Sequence, residues 1–157
     1  MNTAHKILIA IIVLLIALIG WFWFGGALTA EPTVATARAS DFPEAFSAAA
    51  SIVRSGASPQ TFSESALDSA ADYELIDASI NLKNSGLFAA EWLELKVNGG
   101  DGDVAVYSLS GAGGDVPAFG SGYVNVKILT RNADASRSAT VSYYVLGLKR
   151  SVTVPLE

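Results

Sequence analysis

An uninterrupted apolar segment near the N-terminus constrains this chain more than any other feature. Residues 7–24 contain no charged or amide side chain, and aliphatic residues cover every face of a helix built from them. At 1.5 Å per residue they form a helix of about 27 Å, and extension to Leu28 gives about 33 Å, which matches a hydrocarbon core of about 30 Å. The sequence therefore predicts a transmembrane helix over residues 7–28 that contacts the lipid bilayer, after a short tail over residues 1–6.

The apolar segment is compatible with two alternatives, an uncleaved signal anchor and a cleaved signal peptide. It is longer than the roughly 7–15 apolar residues usual for a signal peptide core, and Leu28 stands where cleavage after Ala30 requires a small residue. Cleavage after Thr29 stays open. We favour the anchor, and we expect Trp21 and Trp23 at the membrane interface, where indole rings are enriched.

The charges that flank the segment predict its orientation. His5, Lys6 and the amino terminus precede it, whereas Glu31 follows it and Arg38 is the first cation beyond. The positive-inside tendency therefore predicts a single-pass membrane protein with a cytoplasmic N-terminus and an extracytoplasmic C-terminal domain. Residues 31–157 hold 9 Lys and Arg against 15 Asp and Glu, a formal charge of −6. Such an acidic domain is a poor partner for nucleic acid.

Two residue types that much of enzyme chemistry requires are missing from the predicted exterior domain. The chain has no Cys, and its single histidine, His5, precedes the apolar segment. Thiolate nucleophiles, Cys-ligated metals and a Ser-His-Asp triad are therefore excluded. We expect a protein that is not an enzyme and that holds no cofactor.

Residues 29–72 are rich in Ala and Ser and show no strand-like alternation, which predicts a stalk. A proline in a first turn and a glycine beyond a last turn indicate one helix within it, at about 42–55. Phe42, Phe46 and Val53 recur on it at helical spacing. We interpret this stripe as packing against the following domain. The alternative is a surface for a partner helix, which makes Phe42 and Phe46 candidate partner-surface residues.

From residue 73 onward, apolar and polar residues alternate with the period of a β-strand. The alternation predicts six clear strands and a possible seventh: 76–82, 93–97, 104–109, 124–128, 139–145 and 152–156, with the seventh at 116–119. The connections are short, polar or glycine-rich, and no helix separates the strands. The sequence therefore predicts an all-β fold over residues 73–157, an antiparallel β-sandwich of about seven strands, with a small barrel as the alternative.

Parts of this domain resemble immunoglobulin-like (Ig-like) sandwich modules of the CARDB and late-embryogenesis-abundant type-2 kind. The stretches that carry the resemblance are 73–86 with Asn84 and Gly86, 89–97, and 116–126 with Pro117 and Gly120 or Gly122. The resemblance implies an Ig-like fold and an adhesive, spacer or assembly role, with no shared catalytic residues. A single helix before an acidic sandwich is also, by analogy of layout, the arrangement of small accessory subunits in membrane complexes.

A glycine-rich loop at residues 99–103 contains weak candidates for calcium binding. Asp101 and Asp103 present the hard oxygen ligands that Ca²⁺ prefers, and Asp115 in the next glycine-rich loop could join them. Ca²⁺ takes about 6–8 oxygen ligands, and an Asp-x-Asp pair supplies only part of that set. We therefore favour a solvated turn and predict no metal.

Tyr143 and Tyr144 are adjacent on one predicted strand, so their rings face opposite sides of the sheet. We take Tyr144 as the candidate for an exposed, partner-binding ring. Together these features predict a non-catalytic accessory or scaffold subunit of a membrane or cell-envelope complex, with a protein partner or a homo-oligomer. A cell-surface binding module for carbohydrate or protein ligands, and an envelope or filament component, are the alternatives.

Overall fold

The chain folds into an N-terminal apolar helix and an all-β sandwich made of two antiparallel sheets, so the predicted fold class is confirmed. The computed structural model describes residues 3–24, 28–63 and 66–157, and of residues 21–24 only the backbone. The predicted interface positions of Trp21 and Trp23 therefore fall on side chains outside the described part. The elements are α1 (Thr3–Phe24), β1 (Leu28–Arg38), α2 (Pro43–Arg54), β2 (Gln60–Thr61), β3 (Glu74–Asn84), β4 (Glu91–Asn98), β5 (Asp103–Ser110), β6 (Ser121–Thr130), β7 (Ser138–Val145) and β8 (Leu148–Pro155).

Helix α1 has the length and composition of a membrane-spanning helix. The stretch Thr3–Gly20 has a mean hydropathy of 2.4, and none of it is buried within the protein. A signal sequence would meet the same criteria. The predicted extension of the helix to Leu28 is wrong, because Leu28 begins β1 and is 3% exposed in the sandwich core.

Both sheets are antiparallel, and most of their paired strands are not consecutive in the sequence. The larger sheet has the order β1-β3-β6-β5-β2, and the smaller one has the order β4-β7-β8. The core between them is built by the alternating apolar residues that define the predicted strands. Its β3 and β6 members are Ile76, Ala78, Ile80, Leu82, Val124, Val126 and Ile128, and β7 adds Ala139, Val141, Tyr143 and Val145.

The predicted stalk is corrected by the structure, because residues 29–38 of it belong to a strand of the larger sheet. β1 pairs with β3 along its whole length, from Leu28 opposite Asn84 to Arg38 opposite Glu74. Its inward-facing residues after Leu28 are small or only half-buried, so the apolar alternation is weak in the sequence. Pro32 is tolerated because β1 lies at the edge of the sheet.

The possible seventh strand at 116–119 is also corrected. Only Val116 pairs, in an isolated bridge with Ala90. The backbone of this segment forms a turn instead, since the N–H of Gly120 donates to the carbonyl of Pro117 at 3.0 Å. The two strands that the sequence did not reveal are β1 and the two-residue β2.

Helix α2 covers the outer face of the larger sheet, so the domain boundary predicted at residue 73 is wrong. The buried alanines Ala49 and Ala50 allow a close approach of this helix. Phe46 and Val53 pack against a second buried cluster formed by Ala39, Tyr73, Leu75, Val104, Ala105 and Leu129. The Phe46 and Tyr73 rings stack with their centroids 5.6 Å apart. The packing interpretation holds for these two residues of the stripe, whereas Phe42 is 53% exposed.

One side-chain amide joins the two sheets at an edge of the sandwich. Gln60, on β2, donates from Nε2 to the carbonyl of Val97 at 2.6 Å, and its Oε1 accepts from the N–H of Val97 at 3.1 Å. The amide therefore pairs with edge strand β4 as a backbone peptide would. A second link between the sheets runs from the N–H of Leu28 to the hydroxyl of Tyr143, at 3.0 Å.

We predict that Leu28→Ala lowers the free energy of unfolding by about 2–5 kcal/mol, because it leaves a cavity in the core directly after the N-terminal helix. The measurement is urea unfolding of the full chain in detergent micelles. Thr33→Ala is the matched control, since Thr33 lies on the exposed face of the same strand and its replacement should cost less than about 0.5 kcal/mol. Equal losses in the two variants would show that Leu28 does not belong to the core.

Candidate interaction surface

Several loops of the sandwich meet at the end where β1 begins, which we call the α1 end. Leu28, the first residue of β1, is paired with Asn84, the last residue of β3. The hydrogen bond from Leu28 to Tyr143 places the end of β7 and the β7–β8 hairpin at the same level. Arg38, the last residue of β1, marks the opposite end, which we call the far end.

Asn84 organises two of the loops at the α1 end. Its side chain is buried, and its Nδ2 donates to the carbonyls of Phe88, Val116 and Pro117 at 2.8, 3.2 and 3.1 Å. Its Oδ1 accepts from the N–H of Gly86 at 2.8 Å. A single amide therefore holds the loop after β3 against the loop before β6.

The α1 end carries most of the exposed large apolar side chains of the sandwich. Outside α1, and among the residues the structure describes, every such side chain except Phe42 lies on β-strand ends or loops of this end. They are Leu87, Phe88, Trp92, Phe119, Tyr123, Leu146 and Leu148. Trp92 and Phe119 are the most exposed, at 70% and 66%. A concentration of exposed apolar groups at one end is typical of a binding surface rather than of solvated loops.

Three of these side chains also sit on an unfavourable backbone. Trp92, Phe119 and Leu146 have φ values of 54°, 54° and 49°, in the left-handed region that favours glycine. Holding a bulky residue there costs on the order of 1 kcal/mol or more. They are the non-glycine residues with positive φ in the described part of the chain. Backbone strain and side-chain exposure thus coincide at the same three positions.

Local hydrogen bonds explain how two of these strained residues are held. The N–H of Trp92 donates to Oδ1 of Asp115 at 3.0 Å, in a β4 segment whose register shifts between Glu91 and Glu94. The N–H of Phe119 donates to the carbonyl of Gly86 at 3.3 Å. Phe119 therefore presents its ring from a loop, and Trp92 from the irregular start of β4, and a hydrogen bond holds the backbone at both positions.

The far end contains a buried ion pair. Nη2 of Arg137 lies 2.9 Å from Oδ1 of Asp103, and both side chains are almost fully buried, at 2% and 0% exposure. Oδ2 of Asp103 accepts from Nε of Arg137 at 3.3 Å and from the N–H of Gly100 at 2.7 Å. Arg137 donates further to the carbonyls of Asn132 and Ala133. The pair ties the loop after β4 to the loop before β7.

The weak calcium candidates are not brought together by this fold. Both oxygens of Asp103 are occupied by the ion pair, and Asp101 is exposed beside it. Asp115 lies at the α1 end, where it accepts from the Trp92 N–H. Among the described residues, no group of three or more His, Cys, Asp and Glu side chains is placed to hold a metal ion.

The predicted partner-surface residues lie on separate faces. Phe42 is exposed at the far end, whereas Phe46 is half-buried under α2. Tyr144 is half-exposed on the outer face of the smaller sheet, with Nζ of Lys149 5.7 Å from its ring centroid. The hydrogen bond and the charge of Glu94 raise the pKa of Lys149, and Tyr144 adds a smaller contribution. A partner surface at these residues stays a prediction.

Two surface depressions lie away from the α1 end. The smaller, of about 390 Å³, is lined by residues that include Phe62, Asp101 and Arg131. The larger, of about 550 Å³, lies beside α2 and includes Arg54 and Ser63.

The sequence favours packing over exposure for Trp92, Phe119 and Tyr123, because β-propensity places aromatic rings in strands and most of them pack there, whereas the structure exposes all three. A usable signal was present for two exposed residues of the α1 end. Phe119 and Leu146 each directly precede a glycine, a residue typical of turns. A bulky apolar residue inside a turn has no core to enter.

Comparisons with known proteins leave the family of this chain open. No family model matches the sequence, and no curated protein matches it either. Among solved structures, the sandwich is similar to the crystal structure of the yeast GGA1 GAE domain, which is 13% identical. The match covers 58% of this chain and 96% of that chain, with a TM-score of 0.40. This degree of similarity carries no functional argument.

We predict that Asp103→Ala lowers the free energy of unfolding by about 3–5 kcal/mol, because it leaves the Arg137 guanidinium buried without a counterion. Thermal and urea unfolding in detergent measure the loss. Asp101→Ala removes an exposed carboxylate from the same loop and should change stability by less than about 0.5 kcal/mol. A similar small effect at Asp103 would mean that the ion pair does not hold the far end together.

Proposed function

We propose that this chain is a non-catalytic, single-pass membrane protein whose exterior β-sandwich is an accessory or scaffold subunit of a membrane or cell-envelope complex. The observation that carries the proposal is the junction between α1 and the sandwich. α1 ends at Phe24, and Leu28 is already a buried core residue. An apolar helix joined so closely to a folded domain suits a permanent anchor better than a removable leader.

The effect of cleavage on β1 supports an uncleaved anchor. Cleavage after Thr29 or after Ala30 would remove Leu28 together with its hydrogen bond to Tyr143. It would also remove the first residues of the ladder that pairs β1 with β3. A signal peptide whose removal takes away a core residue would destabilise the mature protein.

The proposed orientation and location rest on the charges around α1. His5 and Lys6 lie on its N-terminal side, and the acidic sandwich lies on its C-terminal side. We therefore place the N-terminus in the cytoplasm and the sandwich outside the membrane. The partners of this arrangement are the bilayer, through α1, and a protein of the complex or further copies of this chain.

A structural role agrees with the chemistry that the sandwich offers. The chain has no Cys and its one histidine is His5. The buried carboxylate of Asp103 and guanidinium of Arg137 are saturated by each other and by contacts with the loops of the far end. We further propose that the sandwich is an Ig-like module of the CARDB or late-embryogenesis-abundant type-2 kind, on the turn residues Asn84, Gly86 and Pro117.

A carbohydrate-binding module has less support than a scaffold. Such a module would present aromatic rings where a ligand in solution reaches them. The most exposed aromatic rings, Trp92 and Phe119, lie instead at the end of the sandwich that is joined to α1.

Cysteine labelling tests the proposed topology, because the natural chain has no Cys and gives no background. We expect a membrane-impermeant maleimide to label Ser151→Cys in intact cells and to label Thr3→Cys only after permeabilisation. Both positions are exposed in the folded chain. The reverse pattern would contradict the orientation.

The proposal of an anchored subunit predicts two further results for protein prepared from native membranes. The full-length chain should stay in the membrane fraction during alkaline carbonate extraction, and it should co-purify with a protein partner or as a homo-oligomer after mild solubilisation. A soluble product that begins at Ala30 or Glu31 would show a cleaved signal peptide. A solitary full-length monomer would contradict the scaffold role.

A further inference from the structure

We propose that the α1 end of the sandwich is itself a membrane-docking surface. Trp92, Phe119 and Leu146 insert into the headgroup region of the same bilayer that α1 spans, so the domain rests on lipid and does not swing free on a stalk. The proposal rests on the membrane anchoring by α1 proposed above. It adds a second, independent contact between this protein and the membrane.

Chain length places the α1 end at the membrane. Only residues 25–27 separate Phe24 from Leu28, and an extended chain spans at most about 14 Å over that distance. The far end lies about 33 Å away, along the ten residue steps from Leu28 to Arg38. Once α1 crosses a bilayer, the α1 end is therefore held close to its surface.

The three strained residues indicate that their side chains are required for something other than the fold. Glycine would relieve the backbone at Trp92, Phe119 and Leu146, and these side chains are 70%, 66% and 59% exposed. They project from the irregular start of β4, from the loop before β6 and from the β7–β8 hairpin, and yet share one end of the sandwich. Large apolar side chains on a backbone held by hydrogen bonds are suited to penetrate an apolar layer, and tryptophan favours the membrane–water boundary.

The position and charge of this end select lipid as the occupant. A gap of at most about 14 Å between the end of α1 and Leu28 leaves no room for a folded domain between the sandwich and the bilayer. Acidic and basic side chains are mixed there, since Glu91 and Asp115 lie at the same end as Lys83 and Lys149. Docking should therefore be driven by apolar burial, take place on zwitterionic phosphatidylcholine, and change little with salt.

The tryptophan content of the chain allows a direct test. Trp92 is the single tryptophan outside α1, since the others are Trp21 and Trp23. The full chain carrying Trp21→Phe and Trp23→Phe is reconstituted into phosphatidylcholine vesicles, with or without bromine on the acyl chains near the headgroups. We expect brominated lipid to remove most of the Trp92 emission, and acrylamide in the water to quench it poorly.

A companion variant separates failure of docking from failure of anchoring. In Trp92→Phe, the remaining emission comes from Trp21 and Trp23. If brominated lipid quenches these two but leaves Trp92 unquenched and open to acrylamide, α1 is anchored and the docking proposal is wrong. If it quenches none of the three, the anchoring proposal fails first. Protection of Trp92 from both quenchers would identify a protein cover and overturn lipid as the occupant.

Loop variants test whether the apolar side chains cause the docking. In the Trp92 reporter background, Phe119→Gly with Leu146→Gly should keep or raise the thermal stability, because glycine suits the positive φ. The same double variant should lose most of the quenching of Trp92 by brominated lipid. A merely structural role of these residues predicts the opposite pair of results.

Phe42→Ser is the matched control, because it removes an exposed aromatic ring from the far end. We expect this variant to leave the quenching of Trp92 unchanged, and an equal loss would overturn the proposal. Should the glycine variant unfold, Phe119→Asn with Leu146→Asn replaces it, since asparagine tolerates the left-handed region. Unchanged quenching in a folded loop variant would also overturn the proposal.

Discussion

The pairing of β1 with β3, which begins at Leu28, is the contact on which the rest of the arrangement depends. It puts the first residue after the helix linker into the core and joins it to the smaller sheet through the Tyr143 hydroxyl. The antiparallel register then determines which loops lie near the helix and which lie far from it. The strained apolar turns fall on the near side, and the buried ion pair falls on the far side.

The two ends of the sandwich are stabilised by different buried polar side chains. At the α1 end, the amide of Asn84 joins two loops through neutral hydrogen bonds to backbone groups. At the far end, Asp103 and Arg137 do the same through charged groups that are fully paired. In both cases a buried side chain replaces backbone pairing where the sheets end, and a buried polar group without such partners would destabilise the fold. The loops are consequently defined in shape, which a docking or scaffold surface requires.

Much of the fold was predictable because the period-two alternation is strong wherever a strand is buried on one face. The strands around Ile80, Val126 and Val141 are of this kind, and each lies where the alternation indicates. β1 was not predictable by the same means, since the residues it turns inward after Leu28 are small or half-buried. The exposed apolar surface at the α1 end was not predicted, for a related reason. Whether Trp92 or Phe119 enters the core depends on the local backbone conformation, which is a register shift in β4 for Trp92 and a turn for Phe119, and the sequence pattern does not contain that conformation.

The sequence by itself determined that the chain begins with an apolar helix long enough to span a bilayer, continues into an all-β domain, and lacks thiol and histidine chemistry beyond His5. These properties follow from composition and periodicity, which are local. The tertiary structure decided that the Ala-rich segment belongs to the sandwich, that Asp103 is the counterion of Arg137, and that the exposed apolar turns share one end. Those properties depend on which distant residues meet, and only the register and order of the strands bring them together.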